Sequence, residues 1–464
     1  MILDRTSIKS RVIGRCLLQH LLGRQVSKSD VTMIAFEESR RRPGGWCMQI
    51  WPPGHKKTTT LSVGGTLYDL VYDTFCGDRN IALAIASRVD MVAAGVSDEC
   101  RGHIERNEKF REVFGDLVGD KWGTTAWNVK GRKSYAKETS VTCVSIKGQV
   151  FSWHYDVIRC DDLIQEEDAN TATQRKTTYA NFFAKLASRP KVGGMIFING
   201  LHVNPYDLHV DLRNDPRLID NCLVVSALPE KGSWARENLG AVPWGTDEGG
   251  YDILHFMQEK QAMGSARFGA QYIGDPKSME GRILNLSLVR RYTPEMIRPE
   301  KLAQMLVVNA ADLAISDAPD ADEFAMSSIA VDVNGNVFAL GDFGEKGMPF
   351  HLQIEGIHEW DVRRKPRTTF IELNGLQRVW KQEAYRKYRL SLWPIHHDKN
   401  KVTRGYDFQP VVECGQLWLP ETGMPELEEQ IRDFDGLEGH PDDRIDALMT
   451  AWEGSKLLSF PGGN

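Results

Sequence analysis

The stretch Gln49-Ile50-Trp51-Pro52-Pro53-Gly54-His55-Lys56-Lys57-Thr58-Thr59 decides the fold. It places a short apolar run, a Pro/Gly loop, a Lys-Thr pair and the start of an expected helix in that order. Phosphate-binding loops are built in this order, because backbone N–H groups and the amino end of the helix can then surround an anion. The stretch therefore predicts an α/β fold with a candidate phosphate-binding loop.

The residue types in this loop indicate a nucleotide site. Lys57 would reach the β- and γ-phosphate oxygens, and the hydroxyl of Thr58 would ligate Mg²⁺. The predicted nucleotide-binding residues are Pro53, Gly54, His55, Lys56, Lys57, Thr58 and Thr59. The strict pattern G-x-x-x-x-G-K-[ST] is not met, because Trp51 and Lys56 stand at its two glycines. A structural turn with solvated lysines is the alternative interpretation.

Paired acids follow about a hundred residues later, at the end of the apolar run in Tyr155-Asp156-Val157-Ile158-Arg159-Cys160-Asp161-Asp162. ATPases need one carboxylate for the Mg²⁺ shell and a second that orients the attacking water. Asp161 is the predicted metal-shell acid and Asp162 the predicted water-orienting acid. A solvated strand end remains the alternative.

Length and composition limit the class of protein. The 464 residues suggest two large domains or about three smaller ones. The formal charge of −6 excludes a uniformly basic nucleic-acid binder, although not a locally basic channel. No apolar run approaches the roughly 20 residues needed to span a bilayer. The N-terminus lacks the apolar core of a secretory signal, and the eight scattered cysteines form no C-x-x-C pair, so we expect a reducing cytoplasm.

The rest of the chain shows two α/β patterns. Residues 8–40 look helical, apolar runs alternate with helical stretches over 46–225, and 229–250 read as an irregular connection before a helix at 252–263. The helix after the loop contains Gly64-Gly65, which costs about 1 kcal/mol per glycine relative to alanine. A second pattern starts at Leu306 and includes a hairpin for which Asn334-Gly335 predicts a type I′ turn. A helix from about 376 to 388 and a closing helix from about 441 to 456 follow.

Three acids recur at element ends in the C-terminal part. Asp312 and Glu372 each follow an apolar run, and Asp442-Asp443 opens the last helix. Carboxylates brought together in this way can hold two divalent ions about 3.5 to 4 Å apart, the arrangement of two-metal phosphodiester hydrolysis. Asp443 is the preferred third ligand and Asp446 the other candidate. Each acid also has an ordinary interpretation, because acids favour helix amino ends and turns.

These motifs together resemble the large terminase subunits of tailed double-stranded DNA bacteriophages. In that family the loop often reads Pro-Pro-Arg-His-Gly-Lys-Ser and the acidic strand often ends in Asp-Asp. Its C-terminal part carries an Asp-x-Ala start, an Ile-Glu strand and a final helix with Asp-Asp-x-x-Asp-Ala. The corresponding segments here are Asp312-Leu313-Ala314, Ile371-Glu372 and His440-Pro441-Asp442-Asp443-Arg444-Ile445-Asp446-Ala447.

The resemblance implies a fold and a domain order. The expected fold class is α/β, with an N-terminal P-loop ATPase domain of the ASCE type followed by an RNase H-like nuclease domain. The ATPase domain with its helical lead would occupy 1–240, a linker or lid 241–290, and the nuclease domain 291–464. Lys56 in place of glycine is the main departure from the family, and it puts the loop geometry in question.

The resemblance also implies roles for single residues. Asn199 and Gly200 would couple hydrolysis to motion, and Arg101 or Arg88 would supply an arginine finger. The metal triad of the nuclease would be Asp312, Glu372 and Asp443, with Asp322 and His440 as helpers. Lys399, in a basic segment that runs to Arg404, would approach the metals or the scissile phosphate, and a solvated loop is the alternative there.

The expected function is a DNA-packaging motor that hydrolyses ATP, translocates double-stranded DNA into a procapsid and cuts concatemers. The implied cofactors are ATP and Mg²⁺, with Mn²⁺ as a substitute in the nuclease. The implied partners are double-stranded DNA, a small terminase subunit, a portal protein and further copies of the chain in a ring, in the host cytoplasm and without a membrane. A DNA translocase or helicase-like ATPase with an inactive nuclease-like domain, and a non-catalytic scaffold with a degenerate loop, are the alternatives.

Overall fold

The fold comes from a computed structural model that describes residues 4, 6–148, 152–314, 323–372, 377–390, 392–436 and 441–460. The chain divides into two compact units. The first unit comprises Met1–Glu259 and Arg267–Met279, and the second comprises Lys260–Ala266 and Glu280–Asn464. The segment 241–290, expected to be a linker or lid, thus contributes residues to both units.

The first unit alternates strands and helices after a helical lead, as the sequence predicts. Its strands are β1 (Trp46–Ile50), β2 (Leu83–Ser87), β3 (Val118–Trp122), β4 (Ala126–Val129), β5 (Val141–Ser145), β6 (Tyr155–Asp161), β7 (Pro190–Gly200) and β8 (Cys222–Val224). The helices of this part of the chain are α1 (Ile8–Leu21), α2 (Lys28–Arg40), α3 (Gly64–Cys76), α4 (Asp90–Arg106), α5 (Glu108–Phe114), α6 (Ala172–Phe182), α7 (Leu208–Arg213), α8 (Trp234–Leu239), α9 (Ile253–Met263) and α10 (Ser265–Phe268).

These strands form one mixed sheet in the order β3-β4-β5-β2-β6-β7-β1-β8. The strands from β5 to β8 in this order are parallel to one another, so their carboxyl ends lie at one edge. β7 separates the loop strand β1 from the acidic strand β6. The central strands of this sheet are buried on both faces, because α1 and α3 to α5 cover one face and α6 and α7 cover the other.

Three arginines hold the π-helical turn Thr58–Val63 that joins the loop to α3. Arg24 donates to the carbonyl of Thr59 (2.7 Å), Arg15 to that of Thr60 (3.3 Å) and Arg159 to that of Leu61 (3.0 Å). An α-to-π transition disturbs the regular backbone ladder, and buried carbonyl groups need partners. The arginines supply them.

Two of these arginines, Arg15 and Arg159, are neutralised by buried acids from the helical lead and α3. Arg15 and Arg159 both bind Glu37 (2.7 and 3.0 Å), and Arg159 also binds Asp69 (2.7 Å). Glu38, Arg41 and Arg11 complete a group of three acids and four arginines. Burial by itself would raise the pKa of Glu38, but Arg41 and Arg15 hold it below its ordinary value.

The glycine pair that weakens the helix prediction has a packing reason. A Cβ at Gly64 would lie 2.0 Å from the side-chain nitrogen of Gln19, and one at Gly65 would lie 2.4 Å from the Arg159 guanidinium. α3 therefore needs both glycines to approach α1 and β6, and their cost in helix propensity is offset by this contact.

The second unit forms another mixed sheet. Its strands are β9 (Arg290–Tyr292), β10 (Leu306–Asp312), β11 (Glu323–Val331), β12 (Val337–Lys346), β13 (Thr369–Glu372), β14 (Leu392–Ile395) and β15 (Leu417–Pro420), and their order is β14-β13-β10-β11-β12-β15-β9. Its helices are α11 (Pro299–Leu302), α12 (Phe350–Arg364), α13 (Gln377–Tyr388), α14 (Lys401–Glu413), α15 (Pro425–Asp433) and α16 (Asp443–Ser455). β10, β11 and β12 are antiparallel neighbours, whereas β13 is parallel to β10.

The predicted hairpin is present as β11 and β12, but its predicted type I′ turn is wrong. That turn needs a positive φ at both central residues, and only Gly335 (φ +80°) has one. The carboxylate of Asp332 accepts the N–H groups of Asn334 and Asn336, both at 2.9 Å. The loop is thereby widened to five residues, because an aspartate at its start competes for its amides.

All eight cysteines are free thiols, in agreement with the absence of a predicted disulfide framework. Within the part of the chain that the structure describes, no helix combines the length and the apolar character required to cross a bilayer.

The packing of Gly65 on Arg159 gives a first prediction. In Gly65→Ala the new methyl group must displace a guanidinium fixed by two acids and a carbonyl, so we expect the free energy of unfolding of the first unit to fall by about 2 to 4 kcal/mol. Urea denaturation followed by circular dichroism measures the change.

Gly95→Ala is the matched control. Gly95 lies in α4 with open space around its Cα, so alanine should stabilise the same unit by about 0.5 to 1 kcal/mol. Equal effects of the two substitutions would contradict the packing argument.

Candidate functional sites

The loop between β1 and the turn Thr58–Val63 has left-handed backbone at Lys56, the position where the phosphate-loop pattern has glycine. Lys56 has φ +58°, in the left-handed region that glycine favours, and Gly54 has φ +76°. The N–H of Thr60 donates to the Lys56 carbonyl (2.8 Å), so the helical turn begins directly at this residue. Holding a lysine in this conformation costs about 1 kcal/mol. Lys56 therefore strains the loop without unfolding it.

The structure brings the loop lysine and threonine to the paired acids. Lys57 Nζ lies 3.7 Å from an Asp162 carboxylate oxygen, and the Thr58 hydroxyl donates to Asp161 (3.1 Å). Burial, together with the charge of Asp162, raises the pKa of Asp161 to about 6. These groups are the cation, hydroxyl and carboxylates that a Mg²⁺-nucleotide site requires.

The residues predicted to couple hydrolysis to motion lie beside these acids. Asn199 donates to Asp161 and accepts from the Ser62 hydroxyl (3.3 Å), so its amide links the acidic strand to the turn after the loop. The carbonyl of Gly200 accepts the N–H of Trp51 (3.2 Å). A Cβ at Gly200 would lie 2.6 Å from the His209 ring, which explains the glycine.

The side chain of His55, which was predicted to bind nucleotide, faces the protein interior. It is buried among the rings of Trp244, Tyr251 and Phe256, and burial lowers its pKa to about 4. Its imidazole thus belongs to the interior, and only its backbone is left to line the loop.

The two arginine-finger candidates pair with acids other than Asp161 and Asp162. Arg88 binds Glu167 (2.7 Å) and Asp168 (2.6 Å), and Arg101 binds Asp98 (2.8 Å). These ion pairs do not indicate which of the two residues is the arginine finger.

In the second unit, three acids converge from three elements. Asp312 ends β10, Glu372 ends the neighbouring parallel strand β13, and Asp446 lies in the first turn of α16. One carboxylate oxygen from each comes within 4.8 Å of the others. α16 approaches closely because Gly454 packs on the Phe370 ring, where a Cβ would lie 2.4 Å from a ring carbon.

The electrostatics of this cluster suit a divalent cation. Burial and the nearby carboxylates of Asp446, Glu372 and Asp443 raise the pKa of Asp312 well above its ordinary value, against the opposing charge of Lys401. Crowded carboxylate oxygens are the donors that Mg²⁺ and Mn²⁺ prefer. The donor set therefore fits such a metal, with Asp312, Glu372 and Asp446 as the residues that would hold it.

This grouping differs from the preferred prediction at the third ligand. Asp443 is near enough for its charge to raise the pKa of Asp312, but the acid in the group is Asp446, the other candidate. The helpers Asp322 and His440 lie outside the described residues.

Lys401, rather than the predicted Lys399, contacts an acid of the cluster. Lys399 is exposed and pairs with Asp407 (2.7 Å), whereas Lys401 Nζ lies 2.9 Å from Asp442 and 3.2 Å from Asp446. Asn400 caps α14 by accepting the N–H of Thr403 (2.9 Å). An Asn before a helical stretch is a recognisable cap, so the sequence held a signal that the helix starts at Lys401.

Arg404, one turn further along α14, was also missed as a site residue. It donates to Asp446, Thr450 (2.7 Å) and Glu453 (3.1 Å), which form one stripe of α16. It therefore fixes the rotation of α16 that carries Asp446 toward the strands.

Comparison with known proteins finds similarity in structure but not in sequence. No family model and no curated protein matches the sequence. Among solved structures, the large terminase from a thermophilic bacteriophage superposes with a TM-score of 0.53 at 10% identity, over 94% of this chain and 100% of that chain.

Two further similar structures contain bound ligands. The large terminase of the same thermophilic bacteriophage in complex with ADP has a TM-score of 0.49 at 10% identity, over 92% of this chain and 98% of that one. The large terminase nuclease of the thermophilic phage G20c with bound magnesium has 0.30 at 13%, over 38% and 97%. The superposition over 94% of the chain confirms the predicted α/β fold class: the chain has the fold of a large terminase, with two mixed α/β units in succession.

Proposed function

We propose that this protein is a DNA-packaging motor that hydrolyses ATP to translocate double-stranded DNA and cleaves that DNA with a metal-dependent nuclease. The observation that carries the proposal is the pair of built sites on one chain. One joins Lys57 and Thr58 to Asp161 and Asp162, and the other joins Asp312 to two further acids. A motor that fills a capsid and then cuts the filled DNA needs both chemistries.

In the ATPase site, Lys57 would bind the β- and γ-phosphates in place of its contact with Asp162. Mg²⁺, when bound with the nucleotide, would offset the charge of the transferring phosphoryl group. Thr58 and Asp161 would hold it, and Asp162 would orient the attacking water. Asn199 would pass the change at Asp161 to the end of β7, which is the proposed coupling step.

In the nuclease site, Asp312, Glu372 and Asp446 would hold the metal, with Asp443 as the next acid outward. Divalent ions, when bound, supply an activated water and stabilise the leaving oxygen. Lys401 would hold Asp446 in place and neutralise part of the crowded charge. We propose Lys401 for the role that the sequence assigned to Lys399.

The proposal extends to ligands and partners. We propose ATP, Mg²⁺ or Mn²⁺ and double-stranded DNA as its ligands, and a small terminase subunit, a portal protein and a ring of identical chains in the host cytoplasm as its partners and setting. The arginine finger, Arg88 or Arg101, would act within that ring. The alternative of a non-catalytic scaffold with a degenerate loop is less favoured. Lys56 has the left-handed backbone that glycine would adopt, and the three acids of the second unit lie together in one cluster.

Removal of the loop lysine tests the ATPase. In Lys57→Ala, the loss of the buried cation beside Asp162 should lower DNA-stimulated ATP turnover roughly 100-fold, because this charge would act on the transferring phosphoryl group. Phosphate release in the presence of double-stranded DNA measures it.

Lys109→Ala, at an exposed position of α5, is the control and should retain the wild-type rate. Equal rates in both variants would place any hydrolysis elsewhere, and an inactive wild type with DNA and partners present would favour the scaffold alternative.

Substitution of Asp312 should change the stability of the second unit in opposite directions in the absence and in the presence of metal. In metal-free protein, Asp312→Asn removes a carboxylate whose charged form is disfavoured, so the melting temperature of the second unit should rise by about 2 to 4 °C. The same variant should lose the stabilisation that Mn²⁺ gives the wild type. Scanning calorimetry with EDTA or with Mn²⁺ measures both effects.

Asp443→Asn serves as the control for the third ligand. It should keep the Mn²⁺-dependent rise, whereas loss of the rise in Asp443→Asn and its retention in Asp446→Asn would reverse the assignment.

The two lysines can be separated by plasmid cleavage in Mn²⁺. Lys401→Ala should slow cleavage roughly 100-fold, because Asp446 loses a partner that positions it, whereas Lys399→Ala should cost less than about threefold. The reverse order would restore Lys399 as the residue that serves the metal site.

A further inference from the structure

Lys56 contacts an aromatic ring far along the chain. Its ammonium lies 4.2 Å from the centroid of the Trp244 ring. Tryptophan is the best aromatic partner for a cation, and Trp244 is only 8% exposed. The side chain of Lys56 is therefore bound at one end while its backbone is held in the left-handed region at the other.

Trp244 cannot move freely, because its own turn is closed by hydrogen bonds. The indole N–H donates to the carbonyl of Glu248 (3.0 Å), and the N–H of Tyr251 donates to the carbonyl of Trp244 (3.0 Å). A Cβ at Gly250 would lie 2.1 Å from that carbonyl oxygen, so the turn depends on glycine.

The same turn is anchored on the amino end of α2. The hydroxyl of Ser29 donates to the carbonyl of Pro243 (2.6 Å), and the N–H of Lys28 donates to Glu248 (3.0 Å). Asp30, in the first turn of α2, accepts the hydroxyl of Thr60 from the turn after the loop. The support of Trp244 and the support of the loop helix thus share one element.

Neighbouring residues of the loop meet the same aromatic segment. The Tyr251 hydroxyl lies so near Gly54 that a Cβ there would be 2.5 Å from it. His55 packs among Trp244, Tyr251 and Phe256. Three successive loop residues therefore contact one segment, which we name the aromatic clamp and define as Trp244, Tyr251 and Phe256.

We propose that the aromatic clamp is a positioning element of the nucleotide site, in which Trp244 binds the Lys56 ammonium and so holds the loop in its phosphate-binding conformation. The inference rests on the proposed ATPase. Lys56 occupies the position where the loop pattern has glycine, and its contact with Trp244 favours the left-handed backbone that glycine would adopt unaided.

The proposal predicts that one substitution suppresses another. In Trp244→Leu the loop should lose its left-handed geometry, whereas Lys56→Gly removes the need for the clamp contact. The double variant Lys56→Gly/Trp244→Leu should therefore behave like Lys56→Gly. A merely structural tryptophan would be equally damaging in both backgrounds.

Hydrogen exchange of the full chain without nucleotide tests the clamp directly. Amides of residues 54–60 should exchange about tenfold faster in Trp244→Leu, near the wild-type rate in Trp244→Phe, and no faster in the double variant than in Lys56→Gly. Lys56→Gln, which keeps a side chain but removes the charge, should reproduce Trp244→Leu without altering the core. Trp234→Leu, at an exposed tryptophan, is the control.

Kinetics then separate this inference from the proposed function. The KM for ATP should rise about tenfold in Trp244→Leu with a smaller change in kcat, and the double variant should regain the KM of Lys56→Gly. Exchange or KM changes of equal size in the wild-type and Lys56→Gly backgrounds would overturn the clamp. A wild type that hydrolyses no ATP would overturn the ATPase instead, and the exchange result would still decide the clamp.

Discussion

The buried guanidinium of Arg159 is the constraint on which the first site depends. It lies on the acidic strand two residues before Asp161 and binds Glu37, Asp69 and the carbonyl of Leu61. Burying a charge costs several kcal/mol, in round figures, unless partners compensate it, and removal of one partner leaves the others uncompensated. The helical lead is therefore an integral part of the first unit, because it carries Glu37, one of the two acids that compensate this charge.

This constraint reaches the loop through backbone carbonyls. Arg159, Arg15 and Arg24 each donate to one carbonyl of the π-helical turn, which sets where Thr58 points and where α3 begins. The absence of a side chain at Gly65 leaves room for the Arg159 guanidinium against α3. On the other side of the loop, the aromatic segment around Trp244 and Tyr251 covers Gly54 to Lys56. The loop is thus held between an ionic network and an aromatic cluster.

The two sites are built on the same principle from different sheets. In the first unit Asp161 and Asn199 stand at the carboxyl ends of the neighbouring parallel strands β6 and β7, and in the second Asp312 and Glu372 stand at those of β10 and β13. Such ends lie at one edge of a sheet, so residues far apart in sequence meet there. In each, a nearby cation limits the repulsion, Lys57 in the first and Lys401 in the second. Charge of both signs is therefore concentrated where phosphate and metal chemistry would occur, which the formal charge of −6 does not reveal.

The sequence by itself determined the alternation of strands and helices in two α/β patterns, the loop after β1, and the acids Asp161, Asp312 and Glu372 at strand ends, because local periodicity and residue type specify these features. It did not determine the hairpin turn, where Asp332 captures two amides, or the choice between Asp443 and Asp446, which depends on the rotation of α16 set by Arg404. The preference for Lys401 over Lys399 follows from where α14 starts and what it packs against. The contact of Lys56 with Trp244 is likewise invisible to local pattern. These features were decided only by the tertiary structure, because each depends on side chains that are distant in sequence and that only the packed elements bring within reach.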